Sequence, residues 1–190
     1  MRCLTCETIS WHIICKTCQQ NLLEPQFNKR ELEKDFFVYS FYNYEDIKDL
    51  LNSKYEFYGD KIFNILGNFS FKKFASNFNY NEDIVAIPID DHTRHEFSQS
   101  AILAKNLNSS NITPQYSTLK ATNIIKYAGK GLEFRKKNKR KFKYSGKNNL
   151  KVILVDDIVT SGLTILEAKK VLEKHGCEVI FVLVLSDVKT

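Results

Sequence analysis

Apolar and polar positions divide the chain into an unpatterned start and a patterned body. Residues 1–20 carry no sustained periodicity. Residues 36–42 (FFVYSFY) are aromatic and β-favouring, which predicts a strand. Between residues 46 and 66, Ile47, Leu50, Leu51, Ile62, Ile65 and Leu66 recur at spacings near three and four. That period predicts helices packed on a core, with Gly59 dividing two of them. Residues 84–89 (IVAIPI) predict a second strand, 90–98 a polar loop, and 99–106, with Ile102 and Leu103, a helix. The last third has the clearest pattern: strand 151–155, turn 156–162, helix 164–175 stopped by Gly176, then strand 178–185. Strand, helix and strand in succession make a βαβ unit on a parallel sheet, so the chain is α/β.

A length of 190 residues suits one main core plus a small appendage. With 43% hydrophobic and 26% charged residues, the composition is that of an ordered globular domain and not of a disordered or membrane chain. No apolar run approaches the roughly 20 residues of a membrane span, and no leader pattern follows Met1, so the expected location is cytoplasmic.

Charge changes the picture by its position. Residues 126–151 hold eleven of the 28 Lys and Arg but only one of the 22 acids, Glu133, which leaves the rest of the chain mildly acidic. With Gly129, Gly131 and Gly146, this segment is expected to be a long mobile loop with room for a short helix. Its charges alternate with Tyr127, Phe134, Phe142 and Tyr144. Phosphate contacts and base stacking would then be available together, as binders of single-stranded nucleic acid require. Lys126, Lys130, Arg135, Lys136, Lys137, Lys139, Arg140 and Lys141 are the candidate DNA contacts. A solvated charge run is the plainer reading of the same residues.

Four apolar residues, 152–155, end abruptly in Asp156 and Asp157, at the carboxyl end of a parallel strand where ligands bind in open α/β sheets. Thr160, Ser161, Gly162, Leu163 and Thr164 then form a hydroxyl-rich turn entering a helix, whose N–H groups and dipole favour a phosphate. No Lys stands in the turn, and the nucleoside-triphosphate loop spacing is absent. This stretch resembles the signature of the type I phosphoribosyltransferases. The resemblance implies that Asp156 and Asp157 lie near the ribose hydroxyls of phosphoribosyl pyrophosphate and that residues 160–164 hold its 5-phosphate, with Mg2+ accompanying the pyrophosphate. Hypoxanthine and guanine salvage enzymes usually have an Asp where Thr160 stands, so purine salvage of that type is disfavoured.

Cys3, Cys6, Cys15 and Cys18 form a C-x2-C-x8-C-x2-C pattern, four soft ligands in two knuckles that suit tetrahedral zinc. Disulfides compete as an explanation, but a reducing cytoplasm disfavours them. Four thiolates leave no open position, so the metal would be structural. His12 is then a bystander, and Cys177 a buried apolar residue.

A four-cysteine ribbon ahead of a phosphoribosyltransferase domain is similar to the ComF family, which includes the ComFC competence proteins. Three further stretches carry the likeness: Tyr44, Ile47, Leu50, Leu51 and Lys54; Ile87-Pro88 with Arg94 to Gln99; and Arg135 to Asn138. His95 and Ser98 stand where the family has Gly and Asn. The resemblance implies a type I phosphoribosyltransferase fold with a parallel central sheet over residues 31–190, preceded by a four-cysteine zinc ribbon over 1–30. It implies Arg94 as a pyrophosphate contact, and closure of the basic loop over pyrophosphate. It also implies handling of incoming single-stranded DNA in natural transformation, with partners such as a helicase and a peripheral place at the inner membrane through them. An active transferase on an unidentified base is the alternative.

Overall fold

A computed structural model describes residues 1–89, 97–123 and 131–189, apart from the side chains of Leu132, Arg135 and Lys136. The elements run α1 (Lys16–Leu22), β1 (Asn28–Glu33), β2 (Phe36–Asn43), α2 (Tyr44–Asn52), a 3-10 turn (Ser53–Tyr55), α3 (Gly59–Phe69) and α4 (Phe71–Asn77). They continue with β3 (Ile84–Pro88), α5 (Gln99–Lys105), β4 (Ile112–Pro114), β5 (Leu119–Ala121), α6 (Leu132–Lys137), β6 (Phe142–Tyr144), β7 (Lys151–Val159), α7 (Leu163–Glu173) and β8 (Glu178–Asp187).

Six strands form the central sheet in the order β1-β2-β8-β7-β3-β4, all parallel except β1, which runs antiparallel on β2 at the edge. β5 and β6 form a separate antiparallel pair. The apolar run in β7 follows from burial on both faces, as parallel sheets require. Ile153 and Val155 join a core with α2 to α5, while Val152 and Leu154 join a second core under α7 and the β5–β6 pair. Alternation in β8 does the same: Leu183 and Leu185 face the first core, Val182 and Val184 the second.

The turn expected at 156–162 is shorter than the sequence suggested. β8 continues through Ser186 and Asp187, which pair with Ile158 and Val159, so β7 has a partner beyond its two acids and stays extended to Val159. Val159 is buried in the second core, which fixes that extension. Within the basic segment, residues 126–130 lie outside the described residues, α6 is the short helix for which the sequence left room, and the stretch after it is held by hydrogen bonds. Asn123 and Thr122 donate backbone hydrogen bonds to the carbonyls of Arg140 and Lys141, and the Glu167 carboxylate on α7 accepts from the N–H groups of Arg140 and Lys141 at 3.0 and 2.7 Å. Residues 138–144 are thereby tied to the body.

Buried residues of the cysteine-bearing start pack into the first core. Cys3, Ile14, Cys18 and Leu23 are buried in one cluster with Phe63, Leu66 and Phe71. Among the described residues no helix is long and apolar enough to cross a membrane.

Candidate functional site

The carboxyl ends of the two central strands, β7 and β8, meet the start of α7 at one end of the sheet. Asp156 and Asp157 leave the buried part of β7 there, each side chain accepting a local backbone hydrogen bond: Asp156 from the N–H of Asp157 at 2.9 Å, Asp157 from that of Ile158 at 2.8 Å. These bonds hold both carboxylates in fixed rotamers. Lys54 reaches Asp157 from the 3-10 turn, with Nζ 2.8 Å from Oδ2 and side-chain exposures of 22% and 17%. Burial alone would lower the Lys54 pKa, but the charge and hydrogen bond of Asp157 outweigh it and hold the ammonium above its ordinary value. Burial first, and then the charge of Asp157, push the Asp156 carboxyl well above the usual carboxylate range.

Lys54 is placed by its neighbours. Ser53 donates its hydroxyl to the Leu50 carbonyl at 2.6 Å, which closes the end of α2. Gly59 then lets α3 start against that turn, because a Cβ there would collide with the Ser53 carbonyl oxygen.

After Val159 the chain turns through Thr160, Ser161 and Gly162 into α7. Gly162 has φ +78°, a left-handed value that disfavours side chains, and a Cβ on it would lie 2.7 Å from Leu32 of β1. The Ser161 hydroxyl accepts from the N–H of Leu163 at 3.5 Å, and the Gly162 carbonyl accepts from Leu166 at 2.9 Å to start the helix. Helix α7 runs eleven residues, so its positive end faces the turn without a side-chain cap at Gly162. Arg30 braces the turn from β1: Nη2 donates to the Thr160 carbonyl at 3.0 Å, while the guanidinium pairs with Asp187, whose side chain is 1% exposed.

Asp156, Asp157, Thr160, Ser161, Gly162, Leu163 and Thr164 thus lie on one continuous strand, turn and helix start. Arg94 lies outside the described residues. Sequence reasoning did not assign Arg30, Lys54 or Asp187 to the site. Lys54 was visible only as part of a family likeness. Asp187 carried the same signal as Asp156, an acid ending a parallel strand, whereas Arg30 sits in a charged run, NKRELE, with no signal of its own.

The four N-terminal thiols converge separately. Cys3, Cys6, Cys15 and Cys18 place their sulfurs within 4.8 Å of one another, and all are free. A zinc–sulfur bond of about 2.3 Å puts tetrahedral sulfurs about 3.8 Å apart. Cys6 and Cys15 stand at 3.7 Å, so the set fits a tetrahedral metal such as zinc. Burial raises the Cys3 thiol, but N–H groups of Cys15, Cys6 and Thr5 outweigh it and bring its pKa to about 6. Contacts with the Cys15 and Cys6 thiols push Cys18 up to about 12. Crowding of this kind is what a bound cation relieves.

In the basic segment, Lys137, Lys139 and Lys141 are exposed and Arg140 is half-buried. Lys126 and Lys130 lie outside the described residues, as do the side chains of Arg135 and Lys136, although their backbone belongs to α6. Of the four rings expected to stack, Tyr127 lies outside the described residues, and the other three differ in exposure. Tyr144 is only 6% exposed, with its hydroxyl donating to the Lys147 carbonyl at 2.7 Å beside buried Cys177, so it packs in the second core. Phe142 is half-buried against the same core, and Phe134 is the exposed ring on α6.

Residues 59–190 match the family model for the phosphoribosyl transferase domain. Among solved structures, a hypoxanthine phosphoribosyltransferase from Staphylococcus aureus aligns with a TM-score of 0.40 and 12% identity over 67% of this chain. The alignment spans 64% of that enzyme's length. No curated protein matches the chain.

Proposed function

Because this chain belongs to the phosphoribosyl transferase domain family, we propose that it binds phosphoribosyl pyrophosphate and uses that site within a DNA-handling protein of the ComF type. The observation that carries the ligand assignment is the joining of the Asp156–Asp157 pair to the Gly162 turn by a single stretch of chain at the carboxyl end of the central strand β7. Asp156 and Asp157 accept hydrogen bonds from the two ribose hydroxyls. The turn from Thr160 to Thr164, with the α7 dipole behind it, holds the 5-phosphate. Arg94 contacts pyrophosphate.

Mg2+ prefers hard oxygen ligands, a donor type that the two carboxylates and the pyrophosphate supply, and it would neutralise charge on the leaving group. If transfer occurs, pyrophosphate leaves ribose C1 through an oxocarbenium-like state, and the residues of this chain act by fixing the ribose in place. Lys54 keeps Asp157 aligned for that purpose. Incubating the protein with phosphoribosyl pyrophosphate, Mg2+ and mixtures of bases, followed by mass spectrometry, is expected to yield no nucleotide. Any product promotes the alternative, an active transferase on that base.

The DNA role rests on the basic segment. Lys137, Lys139 and Lys141 are exposed at the end of α6 and in the stretch that follows it. Single-stranded DNA affinity should fall steeply with salt. Changing Lys137, Lys139 and Lys141 to Ala should lower the salt slope by about two, since each neutralised phosphate contributes about 0.7 on a single strand. An unchanged slope in a filter-binding titration would remove this segment from the DNA path. In the same reading, Cys3, Cys6, Cys15 and Cys18 would hold a zinc that closes the residue 1–30 unit ahead of the residue 31–190 domain. The protein works in the cytoplasm, reaching the inner membrane through partners such as a helicase.

A further inference from the structure

Strand β1 does more than close the edge of the sheet. Three contacts from it fall on the turn and helix of the phosphate site. Arg30 donates to the Thr160 carbonyl, Leu32 fills the space where a Gly162 side chain would stand, and Glu33 pairs with Lys169 of α7 at 2.7 Å. Arg30 is itself anchored on Asp187, a carboxylate sealed at the end of β8 that also accepts from the Lys189 N–H at 3.0 Å. Asp187 pairs with Val159, the last residue of β7 before the turn, so the anchor and the turn are adjacent in the sheet.

An anion held by backbone N–H groups must not meet a carbonyl oxygen facing the same way. A guanidinium that bonds the Thr160 carbonyl engages its acceptor and fixes that peptide plane, so the carbonyl is directed to Arg30 and not at an anion on the turn. Arg is suited to the task because its planar fork can serve the carboxylate and the carbonyl together, whereas a Lys ammonium on a flexible stem serves as a single point.

We infer that Arg30 is a positioning residue for the 5-phosphate turn, clamping the Thr160 peptide against Asp187. This rests on the proposed binding of phosphoribosyl pyrophosphate. The test compares wild-type protein with Arg30→Lys, which retains the charge opposite Asp187, and with the double variant Arg30→Met/Asp187→Asn, which removes the buried charge pair altogether. Calorimetry with phosphoribosyl pyrophosphate and Mg2+ should show affinity reduced about tenfold in both, the size of one charge-assisted hydrogen bond. Phosphorus NMR of the bound ligand should show the 5-phosphate resonance moved while the two pyrophosphate resonances keep their wild-type positions. Wild-type affinity in both variants, a 5-phosphate resonance that stays in place, or all three resonances moving together would overturn the assignment. Failure of the wild-type protein to bind the ligand would refute the underlying site instead, before any variant is compared.

Discussion

Changing Asp156 and Asp157 together to Asn is expected to abolish phosphoribosyl pyrophosphate binding, with a loss of at least about 100-fold. Each carboxylate would accept a hydrogen bond from a ribose hydroxyl, and a bond to a charged group contributes about 1.5–3 kcal/mol. Two such bonds correspond to about 3–6 kcal/mol, or roughly two to four powers of ten in affinity. Loss of charge also leaves the half-buried Lys54 ammonium without the carboxylate it pairs with at 2.8 Å, so it no longer compensates an acid. Calorimetric titration reads the effect directly. Retained binding in the double variant would place the ligand elsewhere. The fold should survive, because Asn conserves shape and the side-chain acceptors for the N–H groups of Asp157 and Ile158 persist as amide oxygens.

Substituting Ser for Cys3 and Cys18 should have the larger effect on stability. The two thiols are not on a detachable tip: they are buried with Ile14 and Leu23 in the same core as Phe63 and Phe71. Removing two of four ligands abolishes tetrahedral closure, and metal-binding energy in such sites is folding energy. A loss of about 4 kcal/mol would lower the melting temperature by about 10 °C in a chain of this size. Elemental analysis should give one zinc per chain in wild-type protein and none in the variant. Wild-type protein purified without chelator and found free of metal would remove the site. Chelation of the wild type should reproduce the melting shift, which separates loss of metal from loss of thiol packing.

Legibility in the sequence followed burial. The apolar run at 152–155, the helix after Gly162 and the strand from Glu178 were readable because a doubly covered parallel strand and a helix stop leave strong local signatures. β1 was not readable, since NKRELE on an edge strand shows charge without alternation, and its stability comes from pairing with β2. The β5–β6 pair escaped notice because three-residue strands in and beside a basic run have no period to detect. In the site, the acids and the glycine turn were visible as contiguous residues. Lys54 and Arg30 reach it across 103 and 130 positions of chain, a relation that no local pattern encodes.

The strand order has a consequence for how the chain acquires its structure. β2 pairs with β8 through Val38 and Val182, and Arg30 meets Asp187 across 157 positions. During synthesis, the thiols between residues 3 and 18 can close around a metal by local contacts as soon as they emerge, but the aromatic strand 36–43 has no parallel neighbour until the last strand is made. Such non-local pairing folds slowly, and an uncovered aromatic strand is prone to association while it waits. Antiparallel pairing with charged β1 gives it one covered edge in the interval. The strand that braces the phosphate turn in the finished protein would then serve earlier as a guard on the nascent sheet.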